Sequence, residues 1–207
     1  MRGLVRALYN MSTSSYGVGG IADRIKGIGS RVRGVANRIV GSVRNFYQRL
    51  LGYKLPEFPG YEVAELPTIY RIWLVPTRTG YKLYITARKI LGMYIPWLKK
   101  IVIDPTVKKS KELKENVLAH EYAHYVQHVL GLLGKYPREF IEGMADYLAD
   151  LYLRGKGMVD RVNSYLQEKH AFERVLGMYG SLKRLLNSNP EEVSSNFYRS
   201  YGLLPTI

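Results

Sequence analysis

The sequence predicts an α+β fold in which a small antiparallel β-sheet precedes two functionally important helices, with an amphipathic helical arm at the N-terminus. Three features support this prediction. Apolar residues recur every three or four positions over residues 21–51, β-branched and aromatic residues concentrate between residues 61 and 103, and helical periodicity returns from residue 110. With 207 residues, of which 46% are hydrophobic, the chain is long enough to bury a sizeable core.

Positive charge is concentrated in the first quarter of the chain. Residues 1–55 hold ten Lys or Arg and a single acid, so they carry +9 of the formal net charge of +14. The composition changes at a stretch rich in Pro and Gly, residues 52–60. We therefore predict a basic arm over residues 1–55 and a globular domain over residues 56–207.

The arm contains an internal repeat with a helical period. Glycines stand seven residues apart, at Gly20, Gly27, Gly34 and Gly41, and an apolar stripe runs beside them. This pattern predicts one amphipathic helix over residues 21–51. Because each internal glycine costs about 1 kcal/mol relative to Ala, the helix needs a partner. Three partners fit it: its own domain or a second copy, an anionic membrane, or the phosphates of a nucleic acid.

The elements of the globular domain follow from local signals. Strands are predicted at residues 68–75, 81–85 and 101–103, with turns at residues 77–80 and 96–100 between them. Ser110 is expected to cap a helix that runs to Leu133, and Pro137 to begin a second helix that ends near Arg154. A third helix is predicted over residues 159–186, and Pro190 is expected to begin a short fourth one.

Composition excludes several classes of protein. The chain has no cysteine, which excludes disulfides, cysteine nucleophiles and thiolate metal ligands, so any metal must be held by nitrogen and oxygen atoms. No apolar run is long enough to predict a membrane-spanning helix, and no secretory signal is evident. We therefore favour an intracellular protein, or one peripheral to a membrane or a virion. The many Tyr, Arg and Ile with few Gln are typical of a thermophile.

The first predicted helix of the globular domain carries the sequence His120-Glu121-Tyr122-Ala123-His124, an HExxH motif. Residues four apart lie one above the other on a helix, so both imidazoles can bind one metal ion. The glutamate between them can take a proton from water at that ion. Apolar residues on both sides of the helix predict that it is buried at the floor of a cleft.

A catalytic zinc ion needs a third protein ligand. The metzincin pattern fails, because Gln127 and Leu130 stand where it has Gly and a third His. His128 is one turn beyond His124, and three successive turns of a straight helix do not converge on one tetrahedral ion. We interpret His128 as a polar neighbour or a core histidine.

The next predicted helix offers the third ligand. Glu142 comes eighteen residues after His124, and Asp146 lies one turn further on the same face. Asp146 can then accept a hydrogen bond from the far nitrogen of a ligand imidazole. Glu139 competes with Glu142, but the residue four positions after it is Gly143, which offers no such partner.

Together, His120-Glu121-x-x-His124 and Glu142-x-x-x-Asp146 resemble the gluzincin zinc peptidases, most of all the short minigluzincins of archaea. The resemblance covers about residues 80–155. It implies a zincin-like fold, a Zn²⁺ ion held by His120, His124 and Glu142, and hydrolysis of peptide bonds with Glu121 as general base.

The resemblance also implies groups that bind the substrate. His170 and Tyr165 are candidates for the donor to the oxyanion, and either residues 92–95 or residues 101–103 are expected to form an edge strand that holds the substrate extended. As in latent members of the family, the aromatic tail at residues 197–201 is expected to cover the cleft.

The predicted function is therefore that of a zinc endopeptidase acting on a polypeptide, active or latent. The alternative is an assembly protein associated with a membrane, a virion or a nucleic acid, which keeps a structural or latent zinc site. The basic arm supports the alternative, and it also predicts binding to anionic membrane or nucleic acid, or self-association through the glycine heptads.

Overall fold

A computed structural model of the chain describes residues 33–57, 60–77, 80–159 and 165–202. The predictions for residues 1–32, including the first two glycines of the repeat, lie outside these ranges. Within them the fold is α+β, with six helices and two small sheets. The helices are α1 (Arg33–Leu51), α2 (Lys111–Val129), α3 (Arg138–Arg154), α4 (Leu166–Tyr179), α5 (Leu182–Asn187) and α6 (Pro190–Tyr201). The strands are β1 (Tyr61–Val63), β2 (Thr68–Thr77), β3 (Gly80–Lys89), β4 (Gly92–Ile95) and β5 (Lys100–Ile103).

The three-stranded sheet is mixed, with strand order β1-β5-β4. Strand β5 runs antiparallel to β4, with Gly92 opposite Ile103, and parallel to β1, with Tyr61 opposite Ile101. The prediction of a purely antiparallel sheet is therefore wrong. Parallel pairing needs a long crossover, and here the crossover contains three other strands, so local turn signals could not reveal it.

Strands β2 and β3 form a separate antiparallel hairpin. Its two strands are ten residues each, and the register pairs Thr68 with Lys89 and Tyr70 with Ala87. Two residues after the hairpin, the chain enters β4, so the base of the hairpin lies where the three-stranded sheet begins.

Helix α1 packs into the same core as the helices that follow the sheet. Val43 and Tyr47 are fully buried, and the hydroxyl of Tyr47 donates a 3.0 Å hydrogen bond to the backbone oxygen of Ala119 in α2. Of the three partners predicted for the arm helix, its own domain is the one against which α1 packs. The division predicted at residue 55 does not separate α1 from that core.

Helices α2 and α3 begin close to the predicted positions. The side chain of Ser110 accepts a hydrogen bond from the backbone N–H of Leu113 and caps α2, and Pro137 precedes α3. Helix α2 ends earlier than the predicted Leu133, because Gly131 takes a positive φ of 65° and closes the turn.

The single helix predicted over residues 159–186 is wrong, since the chain breaks at Gly180-Ser181 into α4 and α5; the prediction for residues 160–164 lies outside the described ranges. Gly180 adopts a φ of 73°, which ends α4, and the Ser181 side chain then caps α5 by accepting from the backbone N–H of Arg184. A Gly-Ser pair within a helical pattern is the signal that predicts such a break.

The aromatic tail in α6 is part of the core. Phe197 is fully buried, and its ring lies 5.5 Å from that of Phe140 in an edge-on arrangement. The hydroxyl of Tyr201 donates to Glu168 in α4 at 3.0 Å. The prediction that residues 197–201 form a cover over the cleft is therefore wrong for Phe197, because a fully buried core ring cannot act as a removable lid.

Helix α2 lies at the centre of the molecule. It contacts α1, β4, β5 and α3, and most of its residues are buried, in agreement with the prediction of a helix buried between layers. Across the described ranges, no helix is both long and apolar enough to cross a membrane.

Candidate metal centre

Helices α2 and α3 bring His120, His124 and Glu142 together. The Nε2 atoms of the two histidines lie 3.1 Å apart. Glu142 Oε2 lies 3.4 Å from Nε2 of His120 and 3.3 Å from Nε2 of His124. Within the part of the chain that the structure describes, these three residues form the group of histidine and acidic side chains that can hold a metal ion.

The spacing of the three atoms fits a tetrahedral ion. Ligand atoms about 2.0–2.1 Å from a tetrahedral zinc lie about 3.3–3.4 Å from one another. The three observed separations, between 3.1 and 3.4 Å, match that edge length. Three protein ligands also leave a fourth vertex open, as in catalytic rather than structural zinc sites.

Asp146 orients His120. Its Oδ1 lies 2.6 Å from Nδ1 of His120, and its Oδ2 accepts the backbone N–H of Tyr165 at 3.0 Å. Because a carboxylate only accepts, Nδ1 of His120 carries the proton and Nε2 presents its lone pair. The predicted role of Asp146 therefore has the geometry that it requires.

Gln127 orients His124 in the same way, a role that the sequence did not suggest. The amide is fully buried, and its Nε2 donates to the backbone oxygen of Ile141 at 2.8 Å. That bond turns Oε1 toward Nδ1 of His124, also at 2.8 Å, so this ring must donate there. The sequence does place an amide one turn from a ligand histidine. The carbonyl that orients this amide lies on another helix, so the sequence alone could not reveal the contact.

Three lone pairs therefore converge on one point. Both imidazoles are protonated at Nδ1, and both present Nε2 to a carboxylate oxygen of Glu142, an arrangement that only a cation stabilises. In the absence of a metal a proton can fill this role. Burial opposes it, but the hydrogen bonds of Asp146 and Glu142 raise the pKa of His120 well above its ordinary value.

The pKa of Glu142 shifts in the opposite direction. Burial alone would raise its pKa, but the contacts with His120 and His124 hold the pKa of this carboxyl far below its usual range. Glu142 is thus an anion ready to bind a metal, and protons compete with the metal for the two imidazoles.

Glu121 lies beside this group, against β4. It is only 7% exposed, and the backbone N–H of Tyr94 donates to its carboxylate. A Cβ atom added at Gly92 would lie 2.9 Å from Oε1 of Glu121, so the strand approaches closely because this residue is glycine. Burial raises the pKa of Glu121, partly countered by the two histidines, and a raised pKa suits a group that takes and returns a proton.

Of the two predicted oxyanion donors, the structure brings only Tyr165 to the site. The Tyr165 ring stacks on that of His120, with centroids 5.9 Å apart and planes 10° from parallel. The guanidinium of Arg88 covers the same Tyr165 ring at 4.8 Å. Burial raises the pKa of Tyr165, so the hydroxyl keeps its proton and can donate.

His170 is exposed on α4, whereas the neighbouring Lys169 and Ala171 are buried, so its side of the helix faces away from the core. His128 lies outside the metal group as well. Its Nδ1 lies 2.7 Å from the hydroxyl of Tyr94, so it is a polar neighbour, as predicted.

The sheet also decides between the two predicted edge strands. Strand β5 pairs on both sides and is central, which excludes residues 101–103. Strand β4, residues 92–95, pairs with β5 alone among the described strands and borders Glu121.

The chemistry of the candidate site is inferred from its own residues alone. Two motifs, HExxH in α2 and ExxxD in α3, carry the likeness to gluzincins, and their side chains meet in one group. Comparison of the chain with protein-family models, curated proteins and solved structures finds no match.

Proposed function

We propose that this chain is a zinc-dependent peptidase of the gluzincin type. The observation that carries the proposal is the convergence of two Nε2 lone pairs and one carboxylate oxygen beside a buried glutamate. Two imidazoles with one carboxylate suit zinc, whereas magnesium and calcium prefer oxygen ligands throughout. The open fourth vertex and Glu121 favour catalysis over a purely structural site.

Each residue of the group has a defined task in this proposal. When bound, zinc acts as a Lewis acid that polarises a peptide carbonyl and activates a water molecule. Glu121 takes the proton of the attacking water and returns it to the leaving amine. Asp146 and Gln127 hold the two imidazoles in the tautomer that binds metal. The protonated Tyr165 hydroxyl donates to the developing oxyanion.

Strand β4 gives the substrate a place to bind. The carbonyl of Leu91 accepts from the backbone N–H of Asp104, so odd-numbered residues of this strand bond to β5. The backbone groups of Gly92 and Tyr94 therefore point away from β5 to the far edge of β4, where the Tyr94 N–H donates to Glu121 and the substrate would have to take its place. A polypeptide added along that edge in extended form passes directly by Glu121.

Zinc content and peptidase activity, measured on the same samples, test the proposal. We expect one zinc ion per chain and cleavage of casein or of a mixed peptide library by the wild type. Glu121→Gln is expected to retain zinc and to lose activity by at least a hundredfold, because it removes the general base and leaves the ligands.

A matched pair of variants tests the third ligand. Glu142→Gln is expected to lose zinc, whereas Glu139→Gln, one turn earlier on α3, is expected to retain both zinc and activity. Zinc bound without cleavage of any peptide would favour the structural or latent site of the alternative function. A chain without affinity for zinc would overturn the proposal.

A further inference from the structure

The β2–β3 hairpin exposes an apolar face. Tyr70, Leu83 and Ile85 are 54–58% exposed, although each is a large hydrophobic residue. The register places Ala87 opposite Tyr70, and Leu83, Ile85 and Ala87 alternate along β3, so all four residues lie on one face of the ribbon. Ala87 is exposed as well. We call this set the hairpin face.

The sequence around the hairpin face carries an excess of positive charge, with seven Lys or Arg against three acids over residues 62–104. No acidic residue occurs between Glu65 and Asp104, whereas seven Lys or Arg fall in that interval. Lys82 on the hairpin is exposed, and Lys89 is exposed but forms an ion pair with Asp104 at 3.0 Å. An apolar surface within a positively charged segment complements a surface that is apolar beneath a layer of negative charge.

We propose that the hairpin face docks on an anionic lipid membrane. Transfer of exposed aliphatic side chains into the hydrocarbon boundary is favourable, and tyrosine side chains are enriched at the level of the lipid headgroups. Lysines near the surface add attraction to anionic lipid, and their field extends about 8 Å at physiological ionic strength. The proposal does not depend on the catalytic activity of the metal centre.

Two other occupants fit the hairpin face less well. A second copy of the chain would bring two segments of the same positive sign together, which electrostatic repulsion opposes. A nucleic acid would satisfy the lysines but not Leu83 and Ile85, because single strands bind through aromatic stacking rather than aliphatic contact. Of the three occupants, the membrane satisfies both the charge and the aliphatic residues.

Docking would place the metal centre close to the lipid surface. Arg88 of β3 covers the ring of Tyr165, which in turn stacks on His120. Arg88 comes five residues after Leu83 along the strand, a distance of about 17 Å. This consequence alone rests on the proposed peptidase function, under which polypeptide close to the membrane would be the substrate that reaches the site.

A fluorescent label on the full-length chain tests the proposal. The chain has no cysteine, so Leu83→Cys creates a single attachment point for the polarity-sensitive dye NBD. Met178→Cys is the matched control, because Met178 is 64% exposed on α4. Each labelled protein is titrated with vesicles of phosphatidylcholine alone and of phosphatidylcholine with about 30% phosphatidylglycerol.

The label at position 83 is expected to shift to the blue and to gain at least twofold in intensity with the anionic vesicles only. The label at position 178 is expected to remain unchanged. In sedimentation with the same vesicles, unlabelled Leu83→Gln/Ile85→Gln is expected to bind at least tenfold more weakly than Met178→Gln.

Three results would overturn the proposal. A label at position 83 that stays unchanged while the protein sediments with vesicles would assign binding to another part of the chain. A blue-shifted label before any vesicle is added would show that the protein itself covers the hairpin face. A response to duplex or single-stranded DNA but not to vesicles would replace the membrane with a nucleic acid.

Discussion

Gln127 offers the sharpest test of how the metal centre is organised. In Gln127→Met the volume of the side chain is nearly kept, but both hydrogen bonds of the amide are lost. The backbone oxygen of Ile141 and Nδ1–H of His124, each 2.8 Å from the amide, then have no amide partner in a fully buried place. We expect two separate effects, one on folding and one on metal binding.

The magnitudes follow from those two bonds. A buried polar group without a partner costs about 1–3 kcal/mol, so the loss of both bonds is expected to lower the free energy of unfolding of the metal-free protein by about 3 kcal/mol. Without its acceptor, the His124 ring is no longer held with the proton on Nδ1. Loss of such a partner lowers metal affinity by about 10–100-fold.

Two assays on the same samples separate the effects. Guanidinium unfolding of the metal-free protein, followed by circular dichroism, measures stability, and competition with a chromogenic chelator measures zinc affinity. Gln127→Glu is the discriminating variant. It can still accept from His124 but, as a carboxylate, cannot donate to the Ile141 oxygen. It should lose stability and retain zinc affinity, while exposed Gln167→Met on α4 should change neither.

Zinc affinity of Gln127→Met within twofold of the wild type would refute the role given to Gln127. A loss of affinity in Gln127→Glu as large as in Gln127→Met would also refute it, because the acceptor for His124 would then be irrelevant.

Three further predictions concern close approach and charge. In Gly92→Ala the new Cβ would lie 2.5 Å from Cγ1 of Val117 and 2.8 Å from Cγ of Glu121, so β4 must shift away from both side chains, and peptidase activity should fall at least tenfold while zinc content is unchanged. In Gly143→Ala the new Cβ would lie 2.3 Å from the backbone oxygen of Glu168, which cannot move alone, so guanidinium unfolding should show a loss of about 2–3 kcal/mol. Asp104, buried with a pKa lowered from 3.8 to about 2, should contribute about 2 kcal/mol to folding stability. This contribution is fully present above pH 3.8 and disappears as the pH falls through 2, so acid titration of wild type against Asp104→Asn measures it.

Each of these predictions has its own control. Gly177→Ala, in α4 with no atom within 4 Å of the new Cβ, should gain up to about 1 kcal/mol where Gly143→Ala loses stability. A Gly92→Ala protein with full activity would show that Glu121 does not need the close approach of β4. An Asp104→Asn protein as stable as the wild type at neutral pH would contradict the cause given for the lowered pKa, which burial opposes and the N–H groups of Leu66 and Thr106 together with Lys89 produce.

The site residues whose grouping could be predicted from the sequence are those whose spacing along a helix fixes the face on which they lie. His120 and His124 lie four residues apart, so they share one face of a helix, and the same holds for Glu142 and Asp146. The way in which the two helices pack against each other does not follow from this spacing. The role of Gln127 could not be predicted, because its orientation depends on a carbonyl fourteen positions away. Helical spacing along one chain segment carries no information about such a contact.

The same limit explains the error in the sheet. The parallel pairing of β1 with β5 joins Tyr61 to Ile101, and no turn residue marks it, because the intervening hairpin is a complete sheet by itself. The choice between Tyr165 and His170 was likewise open, since it depends on the phase at which α4 packs against α3. Gly143, whose Cβ would meet the backbone of Glu168, brings these helices into close contact.

The metal centre has a consequence for the order in which the chain folds. All three ligand atoms come from residues 120–142, on two helices that are consecutive in the chain. Contacts between residues close in sequence form quickly, whereas the pairing of β1 with β5 must close a long loop first. A nascent α2–α3 hairpin therefore has every ligand that zinc requires before the sheet has assembled. A metal ion that binds this group would then act as a folding nucleus, and its concentration would become a variable in the kinetics of refolding.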